Sequence, residues 1–246
     1  MNDYIKHWEN FLQNKKLLNY HISQWDYPKR STFDFIEFCN EKIIKSKTVL
    51  DIGCGTGAAT SILAEKFPEK KFICADFSQE ILDIGKKITE KKNIKNMKFK
   101  KMNWLNLPKL CDIDAIISLQ TLSWLPDFKK PLFEIFKKIN PNWIGISSLF
   151  YDGKISSITK VFEHEIDSFT YYNTYSIPVV DEFCLRYKYR IAKSKDFDID
   201  IDISKPTNPH RMSTYTQDLV NNETKKKIQI SGPLLMNWKN IIIEKL

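Results

Sequence analysis

Asp51 and three glycines spaced two apart, Gly53, Gly55 and Gly57, follow the β-branched and apolar run Thr48-Val49-Leu50 and lead into the helical pattern that starts at Ala58. Glycine in such a turn admits positive φ and lets a ligand approach the backbone, and the helix behind it aims free N–H groups at that ligand. This is a nucleotide-type loop. A carboxylate at its mouth repels a phosphate and attracts an ammonium or sulfonium group, which points to S-adenosylmethionine. A dinucleotide loop is the competing reading, because Gly53-x-Gly55-x-x-Ala58 also satisfies the loose G-x-G-x-x-G/A pattern. It fits less well: a pyrophosphate would face Asp51, and Ala58 and Ala59 leave no P-loop lysine. A turn without a ligand needs fewer glycines, since each costs up to about 1 kcal/mol in chain entropy. Asp76 follows Gly55 by 21 residues, room for one helix and one strand, which is where an acid meets a ribose.

The elements that must hold these residues alternate. Periodicity predicts strands at 48–52, 71–76, 97–102, 113–118 and 143–149, with helices at 58–66, 79–90 and 129–139 between them. Strand, helix, strand repetition implies a parallel sheet covered on both faces, with right-handed crossovers. Upstream, Tyr4, Trp8, Phe11 and Leu12 give residues 3–18 a helical pattern suited to closing over the ligand. Ser31 and Thr32 offer N-caps for a helix at 33–45.

Val49-Leu50-Asp51-Ile52-Gly53-Cys54-Gly55-Thr56-Gly57 resembles the first motif of the class I S-adenosylmethionine-dependent methyltransferases, and the resemblance runs from about residue 45 to about residue 150. It implies that Gly53, Gly55 and Gly57 cradle the cofactor, with Asp51 near its amino group. It also implies that Asp76 accepts from both ribose hydroxyls and that Phe77 lies against adenine. At the end of the third strand the family carries an acid that reads the adenine amino group. Here Met102-Asn103-Trp104 stands instead, so Asn103 and Trp104 take that place with a neutral acceptor. Beyond the fourth strand, Ser118-Leu119-Gln120-Thr121 does not match the Asp/Asn-Pro-Pro-Tyr/Phe motif of amino-group methyltransferases acting on DNA. Gln120 is placed to hold cofactor or acceptor through its amide.

The fold this implies is α/β and Rossmann-like, a mostly parallel seven-stranded sheet with helices on both faces. An N-terminal helical segment and a C-terminal antiparallel extension form a cap. Residues 1–246 are expected to make a single methyltransferase domain, divided into a helical lid (1–45), a cofactor-binding core (46–150) and an acceptor side (151–246).

The acceptor side is rich in aromatics. His164, expected on a helix between Glu163 and Glu165, precedes Phe169, Tyr171, Tyr172 and Tyr175, giving aromatic walls and a titratable imidazole. Residues 180–191 read as helical, and the apolar and acidic alternation of 196–203 reads as a half-exposed antiparallel strand. Lys205 to Thr216 and Lys227 to Trp238 look like a β-hairpin arm turning at Asn221-Asn222. With Tyr171 to Pro178, these stretches are similar to methyltransferases encoded with bacterial capsule and O-antigen biosynthesis. That second resemblance implies a small-molecule or glycan-precursor acceptor, with His210 and Arg211 candidates for its phosphate or hydroxyl. The expected reaction is in-line displacement at the sulfonium methyl, with positioning supplying much of the acceleration. His164, His210 or Tyr172 would serve as base for a hydroxyl acceptor.

Composition bounds the alternatives. With 42% apolar and 28% charged residues the chain is of ordinary globular type. No apolar run is long enough for a membrane span, and Met1 to Lys6 lacks a leader pattern, so no membrane insertion and a cytoplasmic location are expected. Five cysteines without a C-x-x-C pair indicate neither a disulfide framework nor zinc, and no metal is expected. The net charge of +8 comes from lysines dispersed among acids and asparagines, so a nucleic-acid partner is not favoured. RNA or protein methylation, and a non-catalytic cofactor-binding subunit, remain as alternatives.

Overall fold

The computed structural model describes residues 15–220 and 225–246, so residues 1–14 of the predicted lid helix and the Asn221-Asn222 turn lie outside the described residues. Two helices come first, α1 (Lys15–Ser23) and α2 (Arg30–Ile44). There follow β1 (Thr48–Ile52), α3 (Ala58–Lys66), β2 (Lys71–Asp76), α4 (Gln79–Lys91), β3 (Met97–Lys101), β4 (Ala115–Leu119), α5 (Lys129–Lys138) and β5 (Trp143–Tyr151). The C-terminal part holds β6 (Lys160–Glu163), β7 (Ser168–Tyr171), β8 (Tyr175–Ser176), α6 (Ile177–Leu185), β9 (Tyr189–Asp196), β10 (Thr214–Val220), β11 (Lys225–Ser231), β12 (Leu234–Leu235) and β13 (Trp238–Lys245).

The main sheet has the order β3-β2-β1-β4-β5-β13-β9, with β1 to β5 parallel and β13 antiparallel to both its neighbours. Side chains alternate across it and feed two cores. Val49, Phe72, Cys74, Ala115 and Ile117 pack under Phe35, Cys39 and Ile43 of α2 and Leu63 of α3. On the other face Leu50, Ile52, Ile116, Ile144 and Ile146 pack under Leu132 and Ile135 of α5 and Val180 and Phe183 of α6. Burial on both faces explains why the strands read as apolar runs. Strand order reverses between β1 and β4, so a crevice opens at their carboxyl ends, where open α/β sheets bind ligands.

Several boundaries differ from the sequence reading. Helix α2 starts with Lys29 as its N-cap, so Ser31 and Thr32 fall inside the first turn. The helix expected at 180–191 ends at Leu185, and Tyr189 begins a strand instead, buried against Phe136. The strand expected at 196–203 is not one beyond Asp196; Ile203 only touches β10, exchanging hydrogen bonds with Thr216. His164 sits in a 3-10 turn joining β6 to β7, not on an α-helix. The hairpin arm is present as β10 and β11, whereas β13 leaves the extension and enters the main sheet. Among the described residues no helix is long and apolar enough to cross a membrane.

Candidate functional site

β1 leaves Asp51 buried behind the crevice, outside its lining, and the glycine loop carries the chain across the mouth through Gly53 and Gly55. Gly53, Gly55 and Gly57 all have positive φ. At Gly53 a Cβ would stand 2.6 Å from the Thr121 side chain, so the loop lies directly against the end of β4. Gly53 and Cys54 donate their N–H groups to the Ala75 carbonyl at 2.8 and 3.1 Å, fastening the loop to β2.

Asp51 is 2% exposed. Its Oδ2 accepts the Thr60 hydroxyl from α3, and its Oδ1 has no hydrogen-bond partner among the described residues. Burial pushes its pKa up to about 7, against the opposing Thr60 hydroxyl and with help from the Asp76 charge. Asp76, at the end of β2, accepts the Gly55 N–H at 3.0 Å and the Ser78 N–H at 3.1 Å, while burial raises its pKa.

Gly53, Gly55, Asp76, Phe77, Asn103 and Trp104 share the walls of one cleft of about 110 Å³ with His21, Met102, Thr121 and Trp124. Asn103 spends its Oδ1 on the Leu105 N–H at 2.9 Å, so the amide presents its NH2 as the spare group. That is a donor where the family pattern has an acceptor. The buried Trp104 indole N–H has no partner among the described residues. These features fit a cofactor that brings an ammonium group and a nucleoside: an unmet buried carboxylate oxygen behind a glycine-rich loop, then an acid and two aromatics, with the Trp104 indole N–H unmet among the described residues.

Two residues of the N-terminal helical part meet this cleft and its loop through contacts the sequence did not reveal. Trp25 donates its indole N–H to Thr56 Oγ1 at 3.0 Å, and the Thr56 hydroxyl donates to the His21 carbonyl at 3.3 Å. His21 thereby faces Gly55, its Nδ1 lying 3.8 Å from where a Cβ on that glycine would be. Burial, then the charge of Lys29, lower the His21 pKa to about 4, so the imidazole is neutral at pH 7. Helical periodicity in the lid was visible; which of its polar residues would reach the cleft was not.

Other predicted site residues lie elsewhere. Gln120 turns away from the cleft wall, accepting from Lys29 Nζ at 3.1 Å and donating to Ser31 Oγ at 3.3 Å. His164 and His210 are exposed, the first in the β6–β7 turn and the second in the loop before β10. Arg211 donates to Glu163 Oε2 at 2.7 Å. Tyr172 is half-buried in a cluster with Leu149, Met236 and Trp238 that also includes Trp124, and burial and Glu163 raise its phenol pKa. Neither histidine nor Tyr172 lines the cofactor cleft. Among the described residues no three His, Cys, Asp or Glu side chains group as metal ligands.

Known proteins are similar to this chain in part of its sequence and in its fold. The chain is 30% identical over 102 residues to a malonyl-[acyl-carrier protein] O-methyltransferase of Bacillus anthracis, a match covering 42% of this chain and 37% of that protein. Its fold is similar to the O-methyltransferase of a trans-AT PKS multienzyme of Brevibacillus brevis, solved with S-adenosyl-L-homocysteine (TM-score 0.53, 15% identity, 67% of this chain and 54% of that one). It is also similar to TehB from Haemophilus influenzae (TM-score 0.54, 14% identity, 87% and 62%). At these identities the two structures speak to the fold alone. The methyltransferase domain family matches residues 43–210, well over half the chain. On that match, and on a glycine loop flanked by Asp51 and Asp76, the chain belongs to the methyltransferase domain family and uses S-adenosylmethionine as its cofactor.

Proposed function

We propose that the chain transfers the methyl group of S-adenosylmethionine to an oxygen of a small acceptor, a hydroxyl of a sugar, sugar nucleotide or related surface-polysaccharide precursor being the leading class. The observation that carries the cofactor half is the unmet Oδ1 of buried Asp51 behind the glycine loop. The cofactor supplies a methyl group already activated by a positive sulfur, so the protein's task is placement and exclusion of water. Asp51 holds a countercharge, Asp76 fixes the nucleoside end, and Thr121 against Gly53 shapes the floor.

A second cavity, of about 240 Å³, supports the acceptor class. It lies at the carboxyl end of β5, with Phe197 and Trp238 among its walls and Asp152, Gln229 and Lys239 among its polar groups. The Trp238 indole N–H is buried without a partner among the described residues. Aromatic faces beside a few hydrogen-bonding groups suit a sugar ring. The apolar cluster holding Trp238 and Met236 also takes in Trp124 of the cofactor cleft.

A carboxyl acceptor is the second reading. His21 is the imidazole lining the cleft, and at a pKa of about 4 it is a poor base. A carboxylate is ionised at neutral pH and needs no base. The malonyl-[acyl-carrier protein] O-methyltransferase relative favours this reading as well.

Calorimetric titration with S-adenosylmethionine, S-adenosylhomocysteine and NAD tests the cofactor. The first two should bind, NAD should not, and Asp76→Ala should weaken binding by about 1.5–3 kcal/mol for the charged hydrogen bond lost. NAD binding alone would overturn the assignment. Methyl transfer from labelled cofactor to nucleotide sugars, but not to dicarboxylates, is the outcome expected for the leading acceptor class.

A further inference from the structure

The cavity of about 240 Å³ between β11, β12 and the ends of β5, β9 and β13 is lined by three lysines, and each is already spent on aspartates. Lys239 stands opposite Asp196 in the β9–β13 register and donates to it and, at 2.8 Å, to Asp152. Lys227 donates to Asp202 at 2.5 Å and to Asp218 at 2.6 Å, and Lys226 lies 3.5 Å from Asp198. Five carboxylates therefore surround three ammonium groups. Among the described residues no arginine or histidine lines the cavity. An entering phosphate or carboxylate would give up its water to meet a net negative surround.

The same arrangement leaves acceptors for hydroxyl groups. The Lys239 side chain is 12% exposed, whereas those of Asp152 and Asp196 are 71% and 51% exposed, so the cation is covered and the carboxylates are open. Burial pulls the Lys239 pKa down, the two aspartates outweigh it, and the lysine stays charged. Each carboxylate spends one oxygen on Lys239 and keeps the other for a donor, and an ionised carboxylate only accepts. Phe197 is fixed in the wall by its N–H, which donates to the Trp238 carbonyl at 3.0 Å. The buried Trp238 indole N–H has no partner among the described residues, and Gln229 adds an amide. An aromatic face beside open acceptors and an unmet donor complements a hydroxylated ring. Sites for drug-sized ligands span roughly 300–1,000 Å³, so this smaller space takes one ring and not a nucleoside and sugar together.

We propose that this cavity binds a single uncharged saccharide ring, its hydroxyls donating to Asp152 and Asp196 and its face lying on Phe197, and that it refuses the same ring carrying a phosphate or carboxylate. Asp152 and Asp196 set that specificity, because they cancel the charge of Lys239 and present oxygens in its place. The inference rests on the sugar reading of the acceptor and narrows it: a nucleotide sugar enters by its sugar end and leaves its diphosphate in solvent.

The test is calorimetry on the full chain with methyl hexosides and methyl N-acetylhexosaminides, each beside its 6-phosphate and its uronate. Wild type should bind at least one neutral glycoside, and bind its two charged counterparts tenfold more weakly or not at all. Asp152→Asn combined with Asp196→Asn uncovers the Lys239 charge, so the order reverses: the uronate gains tenfold or more and the neutral ring loses. Phe197→Leu keeps every charge and should weaken the neutral ring several-fold with the preference intact, which decides the matter if the double variant lacks a thermal transition. No binding of any neutral glycoside, uronates binding wild type as tightly as neutral rings, an unchanged order in a folded double variant, or indifference to Phe197→Leu would overturn the site. Neutral binding without methyl transfer to the bound glycoside would instead remove the acceptor reading and leave the cavity's specificity standing. Methyl transfer to sugars with a KM that none of these variants moves would do the opposite.

Discussion

A carboxylate held at 2% exposure with one oxygen unmet is costly in the free protein, and under the proposed function a cationic group of the cofactor answers Asp51. Its folded pKa of about 7 lies above the usual 3.8, so the folded chain takes up a proton that the unfolded chain releases between those values. The contribution of Asp51 to apo stability is therefore greatest at low pH and is lost as pH rises through about 7. His21 works in the opposite sense. Its folded pKa of about 4 lies below 6.5, so its contribution is full above 6.5 and lost as pH falls toward 4. In the proposed arrangement the cofactor's cationic group meets ionised Asp51. Affinity for S-adenosylmethionine should rise roughly tenfold per pH unit up to about 7 and then level off, with a proton released below that point. Calorimetry at pH 6.0 and 7.5 in buffers of different ionisation enthalpy measures both. Asp51→Asn should flatten the profile and weaken binding, while raising the apo melting temperature at pH 8; an unchanged profile would remove Asp51 from the linkage.

At the scale of elements, the glycine loop is held from three sides: by β2 through Ala75, by the lid through Thr56, and by α4 from below. The third contact turns on Gly85, where a Cβ would stand 2.2 Å from the Thr56 carbonyl oxygen. Backbone cannot yield as a flexible side chain does, so Gly85→Ala must push α4 and the loop apart. Overpacking of this kind costs about 1–3 kcal/mol, a fall of several degrees in melting temperature for a chain of this size. The displacement reaches Thr56, to which Trp25 is bonded, so cofactor affinity should fall too, by calorimetry, and protease cleavage near residues 20–29 should accelerate. Stability lost with affinity intact would show that the loop adjusts independently of α4.

For the whole molecule the decisive element is β13, which threads between β5 and β9 and completes the sheet from the far end of the chain. Ile241, Ile242 and Ile243 are buried there, each worth about 1.5–3 kcal/mol of burial. Their sum is comparable to the whole stability of a typical domain. Ending the chain at residue 236 should therefore give protein without a cooperative thermal transition, whereas replacing 214–231 by a short linker should leave the transition and cofactor binding in place. The second outcome follows because β10, β11 and β12 form a sheet of their own. A folded, cofactor-binding product of the first truncation would contradict this account.

The residues from Thr48 to Asp76 determined by themselves the unit that carries the glycine loop, because a strand, a glycine loop, a helix and a second strand are local in sequence and the parallel register brings Asp76 beside the loop. The five parallel strands were legible for the same reason: burial on both faces writes itself as apolar runs. Tertiary structure alone decided the rest. Asp51 meets Thr60 of α3 through its Oδ2 alone, and His21 lines the cleft while Trp25 beside it docks on Thr56, a contact across 31 residues. His164, His210 and Tyr172 had the right chemistry for a base, but the β6–β7 turn, the loop before β10 and the Trp238 cluster hold them off the cleft wall. The exchange of a predicted helix end for β9, and the entry of β13 into the sheet, rest on pairing between segments about 50 residues apart for β13 with β9 and about 90–100 for β13 with β5, which local periodicity does not encode.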